Sequence, residues 1–148
     1  MDLRVFRYRD LYQDTAALLD GEPDAVAKMA EVAALVQERM GFFWTGFYRV
    51  QGQELVLGPF QGPSACIRIG FGKGVCGTAW KQARTVVVPD VEEFPGHIAC
   101  SSLSRSEIVV PVFGPDGSVT AVLDIDSKEL GTFNRTDAEF LQLITELL

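Results

Sequence analysis

The sequence predicts an α+β fold, with N- and C-terminal helices packed on one face of a mostly antiparallel sheet. Three observations lead there. Apolar residues recur at helical spacing over residues 24–40. Two hairpin patterns occupy residues 42–60 and 107–126. A capped apolar stripe closes the chain from Asn134 onward.

Val26, Met29, Val32, Val36 and Met40 make the first stripe. Gly21-Glu22-Pro23 breaks the chain before it and Gly41 ends it, as C-terminal glycines do. A shorter helix is expected over Asp14 to Leu19. Phe42 to Val50 reads as a strand, Gln51-Gly52-Gln53 as a turn and Glu54 to Phe60 as its partner. Cys66 to Ile69 reads as a short strand or extended segment, Gly74 to Gln82 as a short helix, and Thr85 to Val88 as another strand. Pro89 to Ser106 is a long loop with many serines, of the kind that often carries function. Glu107 to Phe113 and Ser118 to Asp126 flank the Gly114-Pro115-Asp116-Gly117 turn. Asn134 is placed to cap the last helix with Asp137 in its first turn, and Phe140, Leu143, Ile144 and Leu147 make the apolar stripe. One domain over residues 1–148 is expected, without repeats or linkers.

The 148 residues are 47% hydrophobic, enough for a packed core, and no apolar run approaches a membrane span. No secretory signal is visible, which predicts a cytoplasmic location. The net charge of −7 with scattered basic residues argues against nucleic acids and anionic membrane surfaces as partners.

Along the last strand, Val119, Ala121, Leu123 and Ile125 form an apolar face directed at the core helices. Thr120, Val122, Asp124 and Asp126 point the other way. Two carboxylates at i and i+2 repel when desolvated, so this face is either solvated or lines a cation-binding or acid–base pocket. Trp44 and Tyr48 share a face of the first strand and are expected to line such a pocket, with Glu107 as a third carboxylate.

Three cysteines, Cys66, Cys76 and Cys100, do not make a structural disulfide framework in a reducing compartment. Inert thiols, a metal site and redox chemistry remain. Cys100 lies in the long loop among small polar residues, three positions after His97, which could acidify it. Cys76 stands at a helix start between Val75 and Gly77, where the helix dipole favours thiolate, or it packs as a small hydrophobe. Zinc held by Cys66, Cys76, Cys100 and His97 is disfavoured, since no Cys-x-x-Cys pair exists. A papain-like hydrolase lacks an orienting partner for His97. The Gly70-Phe71-Gly72-Lys73-Gly74 run lacks the ending of a phosphate loop and reads as a turn that brings backbone near the pocket.

Together, Gly41-Phe-Phe-Trp-Thr-Gly-Phe-Tyr48, Ala65-Cys-Ile-Arg-Ile69, Gly72-Lys-Gly-Val-Cys-Gly-Thr-Ala79, Pro89-Asp-Val91, Phe94-Pro-Gly-His-Ile-Ala-Cys100, Ser106-Glu-Ile-Val109 and Val122-Leu-Asp-Ile-Asp126 resemble the free methionine-(R)-sulfoxide reductases. The resemblance runs over nearly the whole chain. It implies a GAF-type fold with a six-stranded antiparallel sheet, usually in a homodimer. It implies Cys100 as catalytic cysteine, Cys66 as resolving cysteine and Cys76 as an auxiliary one. Trp44, Tyr48, Glu107, Asp124 and Asp126 are implied as substrate-binding residues, the substrate being free methionine sulfoxide. Thioredoxin is the implied reductant, and no metal or organic cofactor is implied. Ser101, where many relatives carry Asp, and Leu103 and Arg105 depart from the pattern beside Cys100. A ligand-sensing GAF module without catalysis is the alternative from another class.

Overall fold

The computed structural model describes residues 2–148. Its helices are α1 (Arg4–Leu19), α2 (Ala25–Met40), α3 (Gly74–Gln82) and α4 (Arg135–Thr145). Its strands are β1 (Trp44–Gln51), β2 (Glu54–Gln61), β3 (Arg68–Gly70), β4 (Val86–Val88), β5 (Ser106–Phe113) and β6 (Val119–Ser127). A single 3-10 turn at Val91–Glu93 interrupts the long loop. The six strands form one sheet in the order β3-β2-β1-β6-β5-β4, antiparallel at every pairing. No described helix is long and apolar enough to cross a membrane.

Strand alternation divides the core in two. On one face, Phe47, Ile108, Val110, Leu123 and Ile125 pack under α1, α2 and α4. On the other, Trp44, Tyr48, Val109 and Val122 pack with Val75, Cys76 and Ala79 of α3. The terminal helices therefore cover one face, as the sequence predicts, and α3 with the long loop covers the second.

Several elements differ from the sequence reading. Helix α1 spans sixteen residues and not only Asp14 to Leu19. Its buried positions are Tyr8, Leu11, Thr15 and Leu19, a helical spacing obscured because two of the four carry hydroxyls. In α2, Val26 is exposed, and Ala33 joins Met29, Val32 and Val36 in the buried stripe. In α4, Leu141 is buried while Leu143 faces solvent. Strand β3 starts two residues after Cys66, leaving that cysteine in the preceding loop. Val119 does not join the apolar face of β6. Val112 pairs with Ala121 but Phe113 with Val119, so Thr120 is an extra residue that turns Val119 toward the other cluster.

The chain ends are fastened at one buried carboxylate. Asn134 caps α4 by accepting from the Thr136 and Asp137 amides, and Asp137 accepts from the Asn134 amide at 2.8 Å. Asp137, fully buried, also accepts from the Tyr8 hydroxyl at 2.5 Å and from the Arg4 guanidinium. Removing it strands the buried phenol and uncaps the helix. We expect Asp137→Ala to lower the unfolding free energy by on the order of 3 kcal/mol, and Arg4→Ala by less than about 1 kcal/mol because Arg4 is partly solvated. Urea titrations at constant slope would measure both.

Candidate active site

The register of three strands builds the acidic wall. Asp126 lies opposite Glu107 on β5 and opposite Trp44 on β1, and Asp124 lies opposite Gly46. Strand alternation then sends Trp44, Tyr48, Glu107, Asp124 and Asp126 to the face away from the terminal helices. There they line one hollow together with Cys76, His97 and Cys100. The space between its walls, counted out into the open mouth, is about 560 Å³.

The aromatic wall depends on missing side chains. A Cβ on Gly46 would lie 2.5 Å from Trp44 Cη2 and 2.4 Å from Phe60 Cβ, so only glycine lets the indole lie along the strand. The Trp44 ring stacks on Phe60 at 5.3 Å and lies 6.0 Å from Tyr48. Trp44 Nε1 donates to the Pro63 carbonyl and the Tyr48 hydroxyl to the Cys66 carbonyl, each at 2.9 Å. Both polar tips of the wall thus hold the segment before β3.

The third wall is the start of α3. The Gly70–Gly74 run is a turn that brings backbone to the pocket, as the sequence predicts. A Cβ on Gly77 would meet the Gly70 carbonyl at 2.6 Å, so the helix packs directly on that turn. No side chain caps α3, and Lys73, Gly74 and Val75 border the hollow. Its first amides are therefore free to face an anion. Lys73 was not singled out as a site residue from the sequence; its place immediately before an expected helix start was the available signal.

The thiols divide by environment. Cys66 and Cys100 are joined as a disulfide with their Cα atoms 5.3 Å apart. Both are half-buried at the rim. Cys76 is a buried free thiol that packs with the α3 cluster and also approaches Glu107 and Asp124. Burial pushes its thiol well above the ordinary value, and the neighbouring acids push it further. His97 pairs with Glu107, Nε2 to Oε1 at 3.8 Å. Desolvation lowers its pKa, and the charge on Asp124 opposes that shift.

Glu107, Asp124 and Asp126 are all nearly inaccessible. Desolvation raises the pKa of each; for Glu107 and Asp126 the rise is large and the charge on Asp124 adds to it. Asp124 rises less because its polar neighbours favour its ionised form. Burial thus favours the protonated form at Glu107 and Asp126 more strongly than at Asp124. Asp124 Oδ1 is buried and accepts from no donor among the described residues.

The chain is similar to known proteins over nearly its whole length. A GAF domain family model matches residues 23–148. The chain is 52% identical over 143 residues to GAF domain-containing protein A of Dictyostelium discoideum, covering 96% of this chain and 90% of that one. It is 45% identical over 142 residues to the free methionine-R-sulfoxide reductase of Escherichia coli, covering 95% and 86%. It superposes with a TM-score of 0.95 and 50% identity on the free methionine-R-sulfoxide reductase of Neisseria meningitidis solved in complex with its substrate, covering 99% and 89%.

A carboxyl with a raised folded pKa binds more protons folded than unfolded, so its stabilising effect is complete below the unfolded value and is lost as pH rises through the folded one. Glu107→Gln should therefore be more stable than the parent near pH 7, and the difference should vanish near pH 4, where the unfolded carboxyl also protonates. Thermal melts across that range check the sign. Gly46→Ala should cost about 1–3 kcal/mol by displacing the Trp44 indole. Denaturant unfolding and indole fluorescence would report both effects.

Proposed function

We infer from the chain's place among the free methionine-R-sulfoxide reductases, a family of GAF-domain proteins to which it belongs, that its hollow binds free methionine (R)-S-oxide and reduces it to methionine. The single observation that supports this most directly is the Cys66–Cys100 bond at the rim of an aromatic and acidic pocket. It joins the nucleophile to an oxidation partner where a bound sulfoxide would lie.

Each part of the substrate has a matching surface. Trp44 and Tyr48 give the thioether portion an apolar, polarisable wall. Asp124 takes the ammonium, which supplies the missing partner of its Oδ1. The first amides of α3 and Lys73 take the α-carboxylate. A methionine within a peptide chain lacks both charged groups, which explains the preference for the free amino acid.

In the reaction, the Cys100 thiolate attacks the sulfoxide sulfur while a carboxylic acid, Glu107 or Asp126, protonates the oxygen. Oxygen passes to Cys100 as sulfenic acid and methionine leaves. The Cys66 thiol condenses with that group, releasing water and forming the disulfide. An external dithiol of the thioredoxin type then returns two electrons. Cys76 is the auxiliary thiol. No metal or organic cofactor enters these steps. We place the enzyme in the cytoplasm as a homodimer that repairs oxidised free methionine.

With thioredoxin as reductant, Cys100→Ser should lose all turnover. Cys66→Ser should release about one methionine per chain and then slow by an order of magnitude or more. Trp44→Ala should raise KM more than it lowers kcat. An epimer-resolved assay of free methionine sulfoxide reads each outcome. Normal turnover by Cys100→Ser would remove the mechanism, and binding without turnover in the parent would make the protein a sensor.

A further inference from the structure

We propose that the floor of the hollow is also a binding site for a borderline-soft divalent metal ion, Zn²⁺ foremost, held by the Cys76 thiolate, the Glu107 and Asp124 carboxylates and the His97 imidazole. Cys76 Sγ and one oxygen each from Glu107 and Asp124 lie within 4.8 Å of one another, all on buried residues. His97 Nε2 is 3.8 Å from Glu107 Oε1. Ligands sharing one tetrahedral zinc stand about 3.3–3.8 Å apart, so the three buried donors lie near that spacing and His97 swings toward them from beside Glu107 to complete the set. Asp124 is only 6% exposed, and its Oδ1 has no donor among the described residues, an orphan that a cation satisfies, whether the substrate's ammonium or a metal ion in its absence.

The donor set selects the ion. One sulfur, one imidazole nitrogen and two carboxylate oxygens suit zinc, whereas magnesium and calcium require oxygen throughout. The ligands come from α3, β5, β6 and the long loop, so their common point is fixed by the tertiary fold. Binding is an exchange of protons without redox change. The Cys76 thiol and the Glu107 carboxyl each release a proton to solvent as the metal bonds form. Metal capture itself does not depend on the reductase reading. Its consequence does: the ion would occupy the ammonium position and engage an acid of the reaction, so Zn²⁺ would inhibit in competition with substrate.

Co²⁺ titration of the oxidised protein provides the test. With Cys66 and Cys100 bonded, Cys76 is the free thiol, so a near-ultraviolet thiolate-to-cobalt absorption reports its ligation alone. We expect that band to saturate at one Co²⁺ per chain, to be displaced by Zn²⁺ and to be lost in Cys76→Ser. His97→Ala and Asp124→Asn should each weaken Co²⁺ binding by at least about tenfold, with unchanged far-ultraviolet dichroism. Absence of the band in the folded parent would overturn the proposal, as would undiminished binding in both His97→Ala and Asp124→Asn. Methionine sulfoxide reduction without Co²⁺ binding would remove only the metal site. Co²⁺ binding without reduction would remove only the reductase reading.

Discussion

Three carboxyl groups confined to a dry wall are the constraint around which this protein is arranged. Burial at Glu107, Asp124 and Asp126 opposes their ionisation, and antiparallel register fixes them beside one another on β5 and β6. A core selected for stability alone would place apolar side chains there. The apolar face of β6, carrying Ala121, Leu123 and Ile125, shows what that looks like on the same strand. The sheet thus separates two tasks by strand alternation. One side secures the fold against the terminal helices, and the other carries a locally unfavourable group of acids, the kind of strained cluster that marks functional sites.

The remainder of the site holds the sulfur chemistry against that wall. Tyr48 and Trp44 anchor the segment preceding β3 through its carbonyls, which positions Cys66. Cys100 arrives on a loop with little regular structure, fastened at its base where Val91 N donates to Arg105 O at 2.9 Å and Arg105 N to Ser127 O at 2.7 Å. Rigid strands therefore carry the acids and aromatics, while a loop with a fixed base carries the thiol. This division suits the role proposed for Cys100, which alternates between a substrate and a second sulfur.

Much of this was legible in the sequence because the signals were periodic. The alternation in Val119–Asp126 placed Asp124 and Asp126 together on the polar side, and Asn134 with Asp137 announced the capping box of α4. What escaped had physical reasons. Most of α1 was hidden because Tyr8 and Thr15 fill buried positions with hydroxyl-bearing side chains. The turning of Val119 depends on one extra residue opposite β5, which no one-strand pattern reveals. Whether the carboxyl face was wet or dry could not be read from β6 alone, because α3 and the long loop cover it from distant parts of the chain. The pairing of His97 with Glu107 depends on the same cover. The carboxylates were found; their burial was a tertiary property.

The bond between positions 66 and 100 has a thermodynamic side as well as a chemical one. It closes a ring across 34 positions of sequence that includes α3 and β4. In the chain-entropy view, a ring of that size restricts the unfolded ensemble by about 4 kcal/mol. Reduction of this bond therefore leaves a laxer protein than the bonded form. The bonded form is thus the more heat-resistant of the two.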